Sequence, residues 1–199
     1  DKILFNSKWS QKRFFINIEN DELLKQKTSV CYQSTSIQKL NFKNKRKLIS
    51  FIGKLNSAKG YDLFGDAIIK ILDKYPDWKS IVIGDEPREK LSFNHENLKI
   101  YGYTKHNEVL KLLNKVSISV ICSRWEEPVG RVSLEAASRG CAIITSNTGC
   151  LPETSKYSLK LKNLYVFDLK KTLNKLIKNK SHLLKKQKES YKGFFLTHK

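Results

Sequence analysis

Short apolar segments alternate with amphipathic ones over most of the chain, and this alternation constrains the fold more than any other feature. The five apolar segments are residues 48–53, 80–85, 97–103, 117–123 and 141–147. Because they are apolar on both faces, they predict strands that are covered from both sides. Such strands belong to a parallel sheet whose connections are helices. We therefore predict an α/β fold, a Rossmann-like doubly wound parallel sheet with helices on both faces, over residues 45–180.

The segments between and around these strands complete the prediction. Helices are expected at residues 61–75, where Pro76 ends the helix, at 106–116, and at 130–140 with Gly140 as the C-cap. Residues 158–161 and 164–167 are weaker strand candidates, and the tail from Asp168 predicts one helix, or two if Ser181 restarts it with Leu184 and Tyr191. Before the sheet, we expect a strand at 2–7, a helix capped by Ser7, a polar loop at 19–27 and a strand at 29–32.

The charge of the chain is strongly positive, with 38 Lys+Arg against 19 Asp+Glu. An excess of +19 is typical of proteins with a polyanionic partner. However, only six of the cations are arginine, the residue that base-reading proteins prefer, so solvated lysine faces are favoured and no nucleic acid is expected. The lysine-rich tail after residue 156 has three interpretations: the outer face of a closing helix, a peripheral contact with an anionic membrane, or a segment that crosses back to another domain.

Composition also restricts the compartment and the cofactors. The four cysteines lack CxxC spacing, and no apolar run approaches the ~18 residues of a transmembrane helix. The four histidines have no ligand spacing and there is no DxD motif. We therefore expect a cytoplasmic protein with reduced thiols, no metal site and no cofactor.

Two loops at predicted strand ends contain residues suited to a phosphorylated ligand. In GKLNSAKG, Gly53 and Gly60 allow close backbone approach, and the ammonium groups of Lys54 and Lys59 suit a diphosphate. The alternative is an ordinary strand-to-helix turn in a lysine-rich protein. Residue spacing does not decide between these interpretations.

The second loop, EEPVGRVSLEAASRG, leads into a short predicted helix. The free amides of Gly130, Arg131 and Val132 would form an anion site. Glu127 and Glu135 would each accept hydrogen bonds from vicinal sugar hydroxyls, an arrangement that suits a nucleotide-sugar. The simpler alternative makes Glu127 a helix-dipole partner and Glu135 a surface residue, and periodicity alone favours it.

The motifs in these loops resemble those of a known enzyme family. EPVGRVSLE resembles the EPFGxxxLEA signature of retaining glycosyltransferases of family 4, which have the GT-B fold, and GKLNSAKG resembles that family's G-R/K-L-x-x-x-K-G loop. IVIGD, LKIYGY and GCAIITSNTGCLPE resemble further segments of the family, in the same order, so the resemblance extends over residues 48–153. Three departures are Lys54 in place of Arg, Val129 in place of Phe, and Cys150 in place of a glycine.

The resemblance implies a donor site and assigns roles to its residues. Catalytic roles fall to Lys54, Lys59 and Glu127: the two lysines hold the donor diphosphate and Glu127 binds the donor sugar. The remaining donor-binding residues are Gly53, Gly84, Tyr103, Gly130, Arg131, Val132 and Glu135, of which Glu135 binds the ribose while Gly84 and Tyr103 lie near the base. The donor would be a UDP- or GDP-linked sugar, and catalysis would need no metal ion.

The resemblance also implies a domain organisation. Residues 1–40 would be a remnant of an acceptor domain, 41–180 the donor-binding domain and 181–199 a basic C-terminal helix. The acceptor would be a glycan or lipid-linked molecule, as in lipopolysaccharide biosynthesis, bound by a domain largely absent here, so that the fragment alone would be inactive. Two alternatives are a GT-B sugar-nucleotide epimerase domain and a basic nucleic-acid-binding module.

Overall fold

The strands form two parallel sheets in a computed structural model that describes residues 1–18 and 21–196. A small sheet pairs β1 with β2, and a six-stranded sheet has the order β5-β4-β3-β6-β7-β8. This confirms the doubly wound parallel sheet. The strands are β1 (Ile3–Phe5), β2 (Thr28–Val30), β3 (Leu48–Ile52), β4 (Lys79–Ile83), β5 (Leu98–Ile100), β6 (Ile118–Ile121), β7 (Ala142–Thr145) and β8 (Leu159–Lys160).

Helices cover both faces of the large sheet. Alternate residues of β3 illustrate why, since Ile49 and Phe51 belong to one apolar core, whereas Leu48 and Ile52 pack against the other. The first core includes α3 and α7, and the second includes α4 and α5. The helices are α1 (Lys8–Phe14), α2 (Glu22–Gln26), α3 (Tyr61–Lys74), α4 (His106–Leu113), α5 (Arg131–Ser138), α6 (Leu151–Thr154), α7 (Val166–Lys178) and α8 (Lys180–Lys192).

Two predicted local structures are wrong. The strand at 164–167 does not form, because α7 already begins at Val166 and buries a helical stripe that starts at Leu169. The polar loop at 19–27 contains α2, whose first turn is capped by the Asp21 carboxylate accepting from the Leu24 amide. Residues 19 and 20 of that predicted loop lie outside the described residues.

The tail forms two helices, but the restart differs from the prediction. Asn179 caps α8 by accepting from the His182 amide, so the helix begins before Ser181. Its buried face consists of Leu183, Gln187 and Ser190 rather than Leu184 and Tyr191. Through this face α8 packs against β7 and α5; residues 197–199 of the predicted C-terminal helix lie outside the described residues.

The strand order positions the candidate site. β3 lies at the centre, and the chain proceeds outward to β4 on one side and later to β6 on the other. In such a sheet a crevice opens where the order reverses, outside the carboxyl ends of the two strands. The loops that follow Ile52 and Ile121 border this crevice.

Candidate functional site

A cleft of about 370 Å³ opens at this reversal point. It brings together six of the predicted site residues, two from the loop after β3 and four from the segment that leads into α5. The complete lining is Asn6, Gln33, Phe51, Ile52, Gly53, Lys59, Ile121, Ser123, Glu127, Pro128, Val129, Gly130, Arg131 and Val132.

An ion pair joins the two predicted loops inside the cleft. The Lys59 ammonium nitrogen lies 2.5 Å from a carboxylate oxygen of Glu127, with side chains 27% and 14% exposed. Asn56 fixes the lysine from behind, because its side-chain oxygen accepts from the Lys59 amide at 3.0 Å while its amide group donates to Glu86 at 3.1 Å. A cation and a carboxylate thus stand side by side, both still accessible from the cleft.

The start of α5 faces the same cleft. Gly130 adopts a left-handed conformation with φ +66°, and no described side chain caps the helix there. A Cβ on Gly130 would come within 2.7 Å of the Leu151 side chain, so both backbone and packing require glycine. Gly130, Arg131 and Val132 therefore present the positive end of a helix to the cleft.

Glycines also bring the neighbouring strand ends together. Gly84 follows β4 with φ +136°, and a Cβ there would overlap the carbonyl oxygen of Gly53. The Gly84 amide donates to the Gly102 carbonyl at 2.9 Å, and Tyr103 beside it is 81% exposed. Gly84 and Tyr103 thus lie at adjacent strand ends, outside the cleft lining.

Two predicted site residues are held differently from the ion pair. Lys54 is exposed and is not part of the lining. The Glu135 side chain, which belongs to α5, is buried, and one of its oxygens lies 2.9 Å from the His106 ring on α4 and 3.5 Å from the Arg131 guanidinium. Glu135 itself is therefore not part of the cleft lining, whereas Arg131, which it contacts, is.

The segment around Cys150 contacts Glu127 closely, although the resemblance implies a glycine at position 150. The residue that comes closest to Glu127 is Gly149, with φ +55°, because a Cβ at this position would overlap the backbone of Glu127. Cys150 has an ordinary helical φ of −87°, and its amide donates to the Glu127 carbonyl at 2.8 Å. The loop therefore supports Glu127 without needing a second glycine.

Sequence reasoning missed the part of the cleft that comes from the N-terminal segment. Asn6 and Gln33 line it although both precede the predicted donor domain. No local pattern signals this, because the approach depends on contacts between residues that are far apart in the sequence. The carboxylate of Glu153 mediates part of that contact by accepting from the amides of Lys8 and Trp9 and from the Tyr32 hydroxyl.

The thiols do not offer a nucleophile at this site. Burial raises the pKa of Cys122 and of Cys150 to about 12, which keeps both protonated at neutral pH. Among residues 1–18 and 21–196, no group of three His, Cys, Asp or Glu side chains is arranged to hold a metal ion. None of the helices in those ranges has the length and apolar character needed to cross a bilayer.

Comparisons with known proteins show what the chain is similar to. Among curated proteins, spore coat protein SA of Bacillus subtilis (strain 168) is 28% identical over 121 residues, covering 54% of this chain and 32% of that protein. The lipopolysaccharide core biosynthesis mannosyltransferase LpsB of Rhizobium meliloti (strain 1021) is 27% identical over 118 residues, covering 54% and 33%. The chain thus spans about a third of the length of these curated relatives.

Solved structures match over more of the chain. Anabaena HepE in complex with UDP-glucose superposes with a TM-score of 0.77 at 17% identity, covering 98% of this chain and 60% of that one. The C-terminal domain of LpcC from Francisella tularensis gives 0.61 at 23% identity, covering 73% and 82%. At these identities the structures establish the fold alone, that of a GT-B C-terminal domain. The family model described as glycosyl transferases group 1 matches residues 33–193, and the chain therefore belongs to the group 1 glycosyltransferases.

Proposed function

We propose that the chain is the donor-binding domain of a retaining glycosyltransferase of family 4, and that its cleft binds a nucleoside-diphosphate sugar. The observation that carries the proposal is the juxtaposition of the Lys59–Glu127 pair with the uncapped start of α5 in one cleft. A cation and a helix N-terminus attract a diphosphate. The adjacent carboxylate would accept hydrogen bonds from the hydroxyls of the attached sugar.

The ligand would lie across the strand ends in a definite order. Lys59, helped by Lys54 from the rim, would hold the diphosphate together with the amides of Gly130, Arg131 and Val132. Glu127 would bind the sugar hydroxyls. Glu135 would bind the ribose once His106 yields its hydrogen bond. The base would extend toward Gly84 and Tyr103, past the strand end at Gly53.

Catalysis would rest on charge stabilisation. When the bond between the sugar and the diphosphate breaks, negative charge grows on the leaving nucleoside diphosphate. Preorganised cations and amide dipoles lower the barrier most when they already surround the atoms on which charge develops. The lysines and the α5 amides would act in this way, and no metal ion is needed to supply the positive charge.

The complete enzyme would need further residues for its acceptor. We propose that residues 41–180 hold the donor, that 1–40 belong to the acceptor side, and that 181–199 close the donor domain. The acceptor would be a glycan or lipid-linked molecule, in keeping with the lipopolysaccharide role of the relative LpsB. The 199-residue chain by itself would bind donor but transfer little or no sugar.

Titration calorimetry tests donor binding directly. The chain is titrated with UDP, GDP and ADP, each up to millimolar concentration, and Lys59→Met serves as the site-loss variant. We expect heat with at least one diphosphate and a clear loss of affinity in the variant. An absence of heat with all three nucleotides would refute the proposal.

A basic surface on α8 supports a second, peripheral contact with the cytoplasmic face of an anionic membrane. The exposed side of this helix carries Lys185, Lys188 and Lys192 next to the half-exposed apolar side chains of Leu184 and Tyr157. Lysines flanking apolar groups bind anionic lipid with a strong salt dependence. In vesicle sedimentation, we expect binding to phosphatidylserine vesicles that weakens steeply with salt, whereas equal pelleting with neutral vesicles would contradict the contact.

A further inference from the structure

Glu153 makes an unusual set of contacts with the N-terminal segment. Its two carboxylate oxygens accept hydrogen bonds from the Lys8 amide at 3.0 Å, the Trp9 amide at 2.6 Å and the Tyr32 hydroxyl at 2.8 Å. Two of these donors open helix α1, where a negative charge is electrostatically favoured. All three donors lie more than 120 positions away along the chain, so one side chain ties two distant stretches together. We call this set of contacts the Glu153 clasp.

The two stretches that Glu153 binds also supply the part of the cleft lining that comes from the N-terminal segment. Gln33 is the neighbour of Tyr32 along the chain, and Asn6 lies two residues before Lys8. Asn6 and Gln33 both line the cleft that contains Lys59 and Glu127. The Glu153 clasp thus binds the chain close to each of the two N-terminal residues that line the cleft.

The chain after Gln33 has an anchor of its own, since the Arg139 guanidinium donates to the Ser36 carbonyl at 2.6 Å. Around α1, two further polar contacts are weaker than those of Glu153. The Ser10 hydroxyl reaches the Pro128 carbonyl at 3.4 Å, and Arg13 lies 3.8 Å from Glu126 between two exposed side chains. An exposed ion pair at that distance contributes little. The bonds from the Trp9 amide and the Tyr32 hydroxyl to the Glu153 carboxylate are shorter and part-buried, and charge-assisted hydrogen bonds of that kind are the stronger class.

We propose that Glu153 is a positioning residue for the donor cleft: by binding α1 and Tyr32 it fixes Asn6 and Gln33 in the cleft wall. This proposal rests on the proposed function for its effect on donor affinity. The fixing of Asn6 and Gln33 does not depend on that function, and it can be measured without ligand.

The ligand-free measurement uses the side-chain amide signals of Asn6 and Gln33 in nitrogen–proton spectra, together with amide exchange at Lys8 and Trp9. We compare the intact 199-residue chain with Glu153→Ala, Glu153→Gln and Tyr32→Phe. Glu108→Gln is the matched control, because that exposed glutamate pairs with Lys111 on the surface of α4. Glu153→Ala should shift the Asn6 and Gln33 signals and speed the exchange, Glu153→Gln should do so partially, and the control should do neither.

The ligand measurement uses UDP-glucose and GDP-mannose, and the dissociation constant should rise about fivefold in Glu153→Ala, the loss expected for one or two weakened ligand hydrogen bonds. Asn6→Ala should weaken binding in the wild-type chain but add nothing in the Glu153→Ala background.

Unchanged Asn6 and Gln33 signals in Glu153→Ala would overturn the proposal, as would additive effects on affinity. If Glu153→Ala does not fold, the Tyr32→Phe chain decides by the same signals. Absence of binding by the wild-type chain would refute the proposed function, and the ligand-free signals would still decide the role of Glu153.

Discussion

The contact between Gly84 and Gly53 gives a quantitative prediction about how the strand ends beside the cleft are built. Both residues have φ values open to glycine alone, +136° and +150°. A Cβ on Gly84 would fall well inside 3.0 Å of the Gly53 carbonyl oxygen, whereas a Cβ on Gly53 would meet nothing within 4 Å. Alanine at the two positions therefore separates backbone strain from steric overlap.

The magnitudes follow from these two terms. Alanine in such a backbone region costs roughly 1–3 kcal/mol of unfolding free energy, and this cost applies at both positions. Forcing a methyl group into a packed site adds roughly 1–3 kcal/mol, and this term applies to Gly84 alone. We expect Gly84→Ala to lose about 1–3 kcal/mol more stability than Gly53→Ala.

Urea denaturation followed by circular dichroism measures both losses. The free energy is obtained from the midpoint and slope of each transition, and the slopes should agree if the denatured states are alike. Equal destabilisation by the two substitutions would refute the reasoning, because it would mean that the strand ends do not pack as closely as the structure shows.

Three further predictions concern single side chains. In calorimetry, Lys59→Met should weaken nucleoside-diphosphate binding about tenfold and Lys54→Met much less. The reason is that Lys59 lines the cleft, whereas Lys54 is exposed to solvent that screens its charge. Equal losses of affinity in the two variants would contradict this. The Arg88 guanidinium lowers the pKa of Glu86 from 4.5 to about 2, so this carboxylate stabilises the fold above pH 4.5 and its contribution is lost as the pH falls through 2. Glu86→Gln should therefore flatten that part of the acid-unfolding curve, and an unchanged curve would count against the pair. Lys45→Met should lower the free energy of unfolding, measured by urea denaturation, by roughly 2–4 kcal/mol. The Lys45 ammonium donates to three backbone carbonyls, and a methionine would leave them unsatisfied. A loss below ~1 kcal/mol would show that water replaces those bonds.

The large sheet could be predicted from the sequence because its four inner strands, β3, β4, β6 and β7, are buried on both faces. Ile49 and Phe51 point into one core while Leu48 and Ile52 point into the other, which leaves an unbroken apolar run in the sequence. Residues 164–167 also form an apolar run, of only four residues. What distinguishes a helix from a strand here is the row of buried residues at helical spacing that begins at Leu169. Short apolar runs carry no period of their own.

The site was predictable where its residues follow the strands directly. Lys59 and Glu127 come from loops after β3 and β6, and parallel strands bring such loops to one edge. Asn6 and Gln33 could not be predicted, because their approach depends on contacts over more than 120 positions of chain, through Glu153. The partnership of Glu135 with His106 likewise requires α4 and α5 to lie side by side.

A titration of the 15N-labelled chain with UDP, observed through its backbone amides, tests the central claim most directly. If the cleft between β3 and β6 holds a diphosphate, the largest shifts should occur at the amides of Gly130, Arg131 and Val132, followed by Lys59. Saturating shifts confined to other surfaces, or no shifts at millimolar UDP and GDP, would contradict the account.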